Sequence, residues 1–420
     1  MIEQSQRERS TATMSSSEQQ PSVVDLFCGA GGLSAGLERA GWNTVAAVDA
    51  DVDCMTTLTA TKSAGLQVPG FEGRKFLEDA RLLRTDIREL KARDLRPDNV
   101  GPRWQPDLLA GGPPCQPFSS AGRMLALEDP RGQLFLDFVR LAAELRPRFI
   151  LFENVAGLVT AKGPNGKPGY VLELIQKSFE EIGFACRFDL LNSADYGAPQ
   201  RRVRLFMLAA ASEQLPAFPS PTHSREGATS LFGGLKPWRS LGDFLKTQPE
   251  PLLEDVVRPS AARAIEMAGL RPGTGVKAGG IVEANRPGGH WGYRQDSFLA
   301  DPSLPSRTIR AASTPDFIRM SDGSLRRLTW RECAGLQGFP EGWRFEGTTS
   351  SRFRQIGNAV QGDIATVLGS VLFEAAKVRR RARPVSHPWP SYFHKRVRYT
   401  EMEERVNGGH RAAARESRSP

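Results

Sequence analysis

One short segment, in which a strand runs into a glycine cluster and then a helix, constrains the fold of this chain more than any other feature. Residues 23–27 are apolar types typical of a buried strand, residues 28–32 are rich in glycine, and residues 33–40 place apolar side chains at helical spacing. Residues 44–48 predict a second strand, which closes on Asp49. The segment therefore predicts a βαβ unit, because a helix between two strands returns the chain so that the strands run parallel.

The same alternation continues as far as residue 210. Further strands and helices are predicted near residues 107–110, 133–145, 148–152, 170–182, 185–191 and 203–210. Strands that alternate with helices of this length predict an α/β fold with a doubly wound, mostly parallel sheet.

The character of the sequence changes after residue 211. Prolines and glycines are frequent from 212 to 315 and no long periodic segment occurs there, which predicts a smaller, irregular domain of short strands and loops. Beyond it we expect a hairpin over 317–325, a helix that begins at Thr329 with Glu332 in a capping box, and a last helix over about 363–378. The predicted segments are a disordered N-terminus (1–20), a larger domain (21–211 and 316–378), the smaller domain (212–315) and a basic tail (379–420).

Composition excludes several classes of protein. No run of about 18 apolar residues occurs, so we expect no membrane span, and the polar N-terminus does not resemble a secretory signal. The five cysteines are scattered without a C-x-x-C pair, which argues against a disulfide framework and against a structural zinc site. We therefore expect a cytoplasmic protein without a bound metal.

The net charge of +9 is concentrated in the tail, where residues 377–420 hold twelve Lys or Arg and four Asp or Glu. Such a tail can neutralise nucleic-acid phosphates, or it can be a solvated extension. Composition alone leaves both interpretations open.

The glycine cluster indicates a ligand as well as a fold. A glycine-rich turn between a strand and a helix lets backbone N–H groups approach a ligand closely, and an acidic residue at the end of the next strand can accept both hydroxyls of a ribose. Asp49 follows Gly29 by about twenty residues, as this arrangement requires. A nucleoside-containing cofactor is predicted, although the loop lacks the third glycine of G-x-G-x-x-G and a tight turn without a ligand stays an alternative.

A second motif is more specific. Cys115 lies directly after a predicted strand, flanked by Pro113, Pro114 and Pro117, and ligands of open α/β sheets bind beyond the carboxyl ends of the strands. The prolines stiffen the loop, so a thiol there is poorly placed as core filler and well placed as a nucleophile. Glu153 closes the next predicted strand and Arg204 opens another, so that a carboxyl group and a guanidinium can face the same pocket.

At this point the sequence closely resembles the DNA (cytosine-5) methyltransferases, in their bacterial and phage modification type. Six segments match in the family's order over about residues 22–375, with the weakest match over about 212–315: DLFCGAGG (25–32), PPCQPFS (113–119), ENV (153–155), QRRVR (200–204), RRLTWREC (326–333) with QGFP (337–340), and QIGNAV (355–360).

The resemblance implies the class I S-adenosylmethionine-dependent fold, with the C-terminal helix docked on the first domain, and a role for each matching residue. S-adenosylmethionine would be held by Phe27, Gly29, Gly31, Gly32, Leu33, Asp49, Asp86 and Asn358. The catalytic residues would be Cys115, which attacks C6 of cytosine, Glu153, which acts at N3, and Arg204, which steadies the base and the carboxylate. Further contacts to the substrate would come from Gln116, Ser119, Asn154 and Arg202.

The resemblance also implies partners. The substrate would be double-stranded DNA with its target base flipped out, and residues 212–315 would be the target recognition domain. We expect a monomeric, nucleoid-associated enzyme whose cognate restriction endonuclease, if present, acts separately.

Three alternatives belong to other classes. An RNA cytosine-5 methyltransferase of the tRNA-modifying branch shares these motifs, but its Cys-Phe-Thr signature is absent from this sequence. A catalytically inactive DNA-binding protein would not need Cys115, Glu153 and Arg204 together. A nicotinamide-dependent oxidoreductase would explain the glycine loop but not the Pro-Pro-Cys-Gln motif.

Overall fold

The structure is a computed structural model of the 420-residue chain. It describes residues 20–98, 100–114, 130–163, 166–227, 234–276, 297–378, 380–400 and 402. The predicted disorder of residues 1–20 falls almost wholly outside the described residues, as do Cys115, Gln116 and Ser119.

Seven strands form the central sheet. They are β1 (Ser22–Leu26), β2 (Asn43–Asp49), β3 (Arg81–Arg84), β4 (Leu108–Gly111), β5 (Phe149–Val155), β6 (Ala185–Asn192) and β7 (Val203–Ala210). Their order is β3-β2-β1-β4-β5-β7-β6, and β7 runs antiparallel to both of its neighbours while the other pairs are parallel. The predicted mostly parallel, doubly wound sheet is confirmed.

Helices cover both faces of this sheet. The α-helices among the described residues, whether or not they pack on this sheet, are α1 (Gly32–Arg39), α2 (Val52–Ala64), α3 (Pro130–Leu145), α4 (Tyr170–Glu181), α5 (Leu241–Lys246), α6 (Ala261–Ala268), α7 (Trp330–Leu336), α8 (Thr349–Asn358), α9 (Gly362–Val378) and α10 (391–400). Successive residues of β5 point to opposite faces: Phe149 packs in the cluster with α1 and α9, whereas Ile150 packs in the cluster with α3 and α4.

The C-terminal helix α9 packs directly on α1, as the resemblance implied. A Cβ placed on Gly36 would lie 2.4 Å from the Cβ of Ala365, so only a glycine allows this approach. By length and composition alone, the stretch Thr349–Val378 could cross a membrane. It is instead divided between α8 and α9, and 67% of its most apolar window is buried inside the protein, as in a core helix.

A second, smaller sheet lies partly in the region of weak resemblance and partly in the segment that follows it. Its strands are β10 (Thr274–Gly275), β11 (Phe298–Leu299), β12 (Phe317–Arg319) and β13 (Leu325–Arg327), and a two-stranded pair is formed by β8 (His223–Ser224) and β9 (Lys236–Pro237). The predicted hairpin is confirmed, because β12 and β13 pair antiparallel and Gly323 adopts the left-handed φ of 80°. Thr329 and Glu332 form the predicted capping box of α7.

The first half of the basic tail packs on the domain. Phe393 of α10 is completely buried in the core that α3 and α4 share, and the backbone of Arg380 accepts a hydrogen bond from Gln214 N at 3.0 Å. Residues 380–400 are therefore part of the folded structure, which excludes a solvated extension for this half of the tail.

Candidate active site

A cavity of about 770 Å³ lies at the carboxyl ends of the five parallel strands on one side of the sheet. The loops after β1 to β4, the end of β5 and the segment that follows α8 all contribute to its wall. Eight residues predicted from the sequence line it: Phe27, Gly29, Leu33, Asp49, Asp86, Glu153, Asn154 and Asn358. Parallel strands bring them together because their carboxyl ends meet at one edge.

The glycine loop is held against the end of β2 by the carboxylate of Asp49. Gly29 N donates to Asp49 Oδ2 at 2.9 Å, and Asp51 N donates to Asp49 Oδ1 at 2.8 Å. Burial raises the pKa of Asp49, while these backbone hydrogen bonds oppose the rise. A carboxylate has lone pairs for about four hydrogen bonds, so Asp49 can still accept from a ligand in the cavity.

The loop has a left-handed backbone at the point where it leaves β1. Phe27 has a φ of 57° and Gly29 a φ of 53°, and such a conformation in a residue other than glycine costs about 1–3 kcal/mol. The turn is fixed by the bond from Cys28 N to Val48 O, at 3.0 Å. The tertiary structure thus holds Phe27 in a strained conformation at the wall of the cavity.

Gly31 and Gly32 were predicted to bind the cofactor, but they are not among the residues that line the cavity. A Cβ on Gly31 would lie 2.6 Å from Leu58 Cδ2, and one on Gly32 would lie 2.6 Å from Val360 O. In this structure both glycines serve the close packing of the loop on α2 and on the C-terminal segment.

Asp86 presents a carboxylate beyond the end of β3. It accepts hydrogen bonds from Arg88, at 2.9 Å from Nε, 2.6 Å from Nη2 and 3.0 Å from the backbone N. These bonds with Arg88 hold the pKa of Asp86 below its usual value, so the group stays ionised. Its neighbours Thr85 and Ile87 also line the cavity, and the sequence analysis did not single them out.

Glu153 of β5 lines the cavity, and Arg204 of β7, which is not among the lining residues, pairs with it from behind. Arg204 Nε lies 3.3 Å from Glu153 Oε1, and the side chains are only 19% and 13% exposed. Burial raises the pKa of Glu153, and the charges of Arg204 and Arg202 oppose that rise. A carboxyl group whose pKa is raised takes up a proton more readily than a free one and can exchange that proton with a ligand.

Asn154 and Arg202 were predicted to contact the substrate, and the structure gives both of them partners in the protein backbone. Asn154 Nδ2 donates to Pro113 O at 3.0 Å, which ties the loop that leads to Cys115 to the end of β5. Arg202 is buried and donates to the carbonyl oxygens of Ile309, Gly357 and Ala359 at 2.9–3.0 Å. Arg202 thereby fixes the segment on either side of Asn358.

The far end of the chain closes the cavity. Asn358 is exposed at its wall, beside the lining residues Gln355 and Val360. Gln337 Nε2 donates to Ile356 O at 3.0 Å and to Ala359 O at 2.7 Å, which positions this segment. The resemblance implied that Asn358 and its neighbours close the pocket, and Gln355 and Val360 belong to the same motif.

The predicted nucleophile Cys115 and its neighbours Gln116 and Ser119 lie outside the described residues. Pro114 is the last described residue before them, and it lines the cavity together with Gly112 and Pro113. The chain therefore enters the segment that carries Cys115 directly from the cavity wall. The other four cysteines are buried, and burial raises the pKa of each thiol, which disfavours the reactive thiolate.

Comparison with known proteins agrees with this geometry. A family model described as C-5 cytosine-specific DNA methylase matches residues 22–374. The chain is 31% identical to the Type II methyltransferase M.XorII of Xanthomonas oryzae pv. oryzae, over 85% of either chain. It is 28% identical to the Type II methyltransferase M.FnuDI of Fusobacterium nucleatum, over 86% of this chain and 98% of the relative.

Solved structures share the fold at low sequence identity. The methyltransferase EhMeth of Entamoeba histolytica has a TM-score of 0.59 at 14% identity, and covers 85% of this chain and 99% of its own. DNMT2 of Spodoptera frugiperda, solved as a mutant, has a TM-score of 0.58 at 18% identity, and covers 84% of this chain and 99% of its own. The sheet order and these neighbours identify the class I S-adenosylmethionine-dependent methyltransferase fold.

Proposed function

Because this chain belongs to the C-5 cytosine-specific DNA methylases, of the Type II modification kind, we propose how it performs that methylation. The methyl donor is S-adenosylmethionine, and the acceptor is C5 of a cytosine flipped out of double-stranded DNA at a specific sequence. The base is activated by a covalent bond between Cys115 Sγ and C6. The observation that carries this proposal is that Glu153, which pairs with Arg204, and the anchored carboxylate of Asp49 line one cavity.

The cavity suits the proposed donor in size and in chemistry. Small-molecule sites usually measure about 300–1,000 Å³, and the volume here is about 770 Å³. Asp49 would accept the ribose hydroxyls, Asp86 would lie near the adenine amino group, and Phe27 would stack on the adenine ring. Leu33 and Asn358 complete the wall. When bound, S-adenosylmethionine supplies an electrophilic methyl group on a sulfonium.

Cys115 and Glu153 prepare the base. Addition of the Cys115 thiolate to C6 moves the C5–C6 π electrons onto C5 and toward N3, which makes C5 nucleophilic. Glu153 hydrogen-bonds or protonates N3 and so draws off the charge that develops there, and Arg204 orients the carboxyl group. Once C5 carries the methyl group, water takes the C5 proton, the resulting electron pair re-forms the C5–C6 double bond as the Cys115 thiolate departs from C6, and N3 returns its proton to Glu153, which restores the aromatic ring.

The remaining parts of the chain receive proposed roles. Residues 212–315 read base edges as the target recognition domain, and residues 21–211 and 316–378 form the catalytic domain. The small sheet crosses the proposed boundary at 315, since β11 pairs with β12. We also propose a monomer in the bacterial cytoplasm, associated with the nucleoid, and that a cognate restriction endonuclease, if present, acts separately.

The experiment that tests the proposal is bisulfite sequencing of genomic DNA from a methylation-deficient bacterial host that expresses the chain. We expect protected cytosines in one short recurring motif, and complete conversion with Cys115→Ala, whose affinity for S-adenosylmethionine stays unchanged in calorimetry. Complete conversion by soluble wild-type protein that binds S-adenosylmethionine would overturn the proposal and direct attention to RNA. Turnover by Cys115→Ala would remove the thiol from the mechanism.

A further inference from the structure

Residues 380–400, here called the C-terminal strap, run along β6, which is the last strand at one side of the central sheet. The strap begins at the amino-terminal edge of the parallel strands. There the backbone of Arg381 forms an isolated antiparallel β-bridge with that of Glu213, beyond the end of β7. It then pairs with the start of β6: His387 N donates to Cys186 O at 2.8 Å, and Cys186 N donates to Ser386 Oγ at 3.0 Å.

Farther along, the strap reaches the level of the active site. Leu190 N, in β6, donates to Tyr392 Oη at 3.0 Å. Leu190 lies opposite Leu205 of β7, which in turn lies opposite Asn154 of β5, so Tyr392 is level with Asn154. Past this level, a Cβ placed on Gly169, which precedes α4, would lie 3.2 Å from Cγ2 of Val397. Helix α10 therefore ends at the same edge of the sheet as the cavity.

The strap is firmly anchored on its inner side. Phe393 is completely buried, and Trp389 Nε1 donates to Gln176 Oε1 at 2.6 Å. The family model ends at residue 374, so the strap is an addition to the family domain.

The outer side of α10 is positively charged. Lys395, Arg396 and Arg398 are exposed, and within the described part of the chain no carboxylate forms an ion pair with them. Residues 380–400 contain six Lys or Arg and no Asp or Glu. Three glutamates follow in the sequence outside the described residues, at Glu401, Glu403 and Glu404. The salt dependence of DNA binding therefore measures how much positive charge is available for a partner.

We propose that Lys395, Arg396 and Arg398 bind backbone phosphates of duplex DNA flanking the target base. This inference rests on the proposed function, in which the duplex approaches the edge of the sheet that carries Glu153. Two strands, β7 and β6, separate β5 from the extended part of the strap that bonds to β6, and strands lie about 4.8 Å apart, so that part is roughly 15 Å from β5 and α10 continues from it toward the active-site edge. A duplex carries one charge per about 1.7 Å, so phosphates within several base pairs of the target lie in reach.

The strap itself provides a matched control. Arg380, Arg381 and Arg383 are also exposed, but they lie at the opposite edge of the sheet. K395Q/R396Q/R398Q and R380Q/R381Q/R383Q thus remove the same charge from the two ends of one segment. The buried anchors of the strap are untouched, and equal melting temperatures would verify that both variants fold.

The test is fluorescence anisotropy of a labelled duplex of roughly 30 base pairs, with the full-length protein between about 50 and 200 mM salt. Each lost phosphate contact lowers the magnitude of the slope of log K against log salt by about 0.9. The slope of the first variant, K395Q/R396Q/R398Q, should therefore fall by up to about 2.7, and that of the second, R380Q/R381Q/R383Q, should not change. Equal slopes for wild type and the first variant would overturn the inference alone. Equal losses in both variants would also overturn it, because net charge and not position would then govern binding. Wild-type protein that does not bind the duplex would overturn the proposed function together with this inference.

Discussion

Replacing Arg204 with Met isolates the electrostatic role of the buried pair at the active site. The substitution keeps an unbranched stem in β7 that ends about where Nε lay, but removes the charge that lies 3.3 Å from Glu153 Oε1. At an effective dielectric constant of about 20, two unit charges at this distance attract each other by about 5 kcal/mol. Removing one partner of a buried pair usually destabilises a protein by about 3–5 kcal/mol, because the other charge is left in a poorly solvated place.

The loss of stability caused by Arg204→Met should depend on pH, and the pKa of Glu153 determines whether that loss grows or shrinks as pH rises. Burial already raises this pKa, and the loss of Arg204 raises it further. A group with a raised pKa in the folded state adds stability below its unfolded pKa, and that stability is lost as pH rises through the folded pKa. If Glu153 stays neutral in the folded variant, stability falls by about 1.4 kcal/mol per pH unit above about pH 4.3. The expected loss relative to wild type is thus about 3–5 kcal/mol at pH 8 and at most about 2 kcal/mol at pH 6.

Equilibrium unfolding in urea at several pH values, followed by tryptophan fluorescence, measures this difference. Arg263→Met is the matched control, because Arg263 pairs with Glu266 at 2.7 Å but the two side chains are 42% and 51% exposed. That exposed pair should contribute no more than about 1 kcal/mol, with little dependence on pH. A cost below about 1 kcal/mol for Arg204→Met at pH 8, or a cost independent of pH, would refute the electrostatic reasoning.

Three further predictions follow from the described contacts. Glu153→Gln should slow single-turnover methylation by about 10²–10⁴-fold, because an amide cannot supply the proton; an unchanged rate would remove Glu153 from the mechanism. Asp49→Asn should weaken binding of S-adenosylmethionine by roughly 5–150-fold in calorimetry, because one of the N–H groups of Gly29 and Asp51 would then face an amide donor; unchanged affinity would contradict the anchoring role. Phe393→Ala should lower the free energy of unfolding by about 3–5 kcal/mol in urea, whereas a loss under about 1 kcal/mol would show that the strap is not part of the core.

Much of the central sheet and several site residues could be predicted from the sequence, because each depends on local pattern. The strands that become β1, β2, β4 and β5 are short, mostly apolar runs with a glycine or a polar residue at or soon after the end of the run. Their parallel arrangement follows from the helices between them, and it places Phe27, Asp49 and Glu153 at one edge. The roles of Cys115, Gln116 and Ser119 stay predictions of the motif alone.

Other elements have no local signature. Helix α2 was not predicted, since its threonines show no apolar face; Thr57 and Thr61 are buried because they bond to a segment almost 300 residues away, through Glu346 N and Arg344 N. Strand β3 is only four residues long and contains two arginines, which left no strand pattern to read.

The sequence by itself determined the class of fold, the order of the motifs and the chemistry that those motifs suit, since these depend on residue type and on spacing within about 30 residues. Tertiary structure alone decided how distant segments meet: that Arg202 fixes the backbone around Asn358, that Gln355 and Val360 close the cavity, and that the strap carries cations to the active-site edge. The physical reason is that these contacts join residues separated by as many as 300 positions. Such contacts are set by the packing of complete surfaces and leave no periodic trace in the chain.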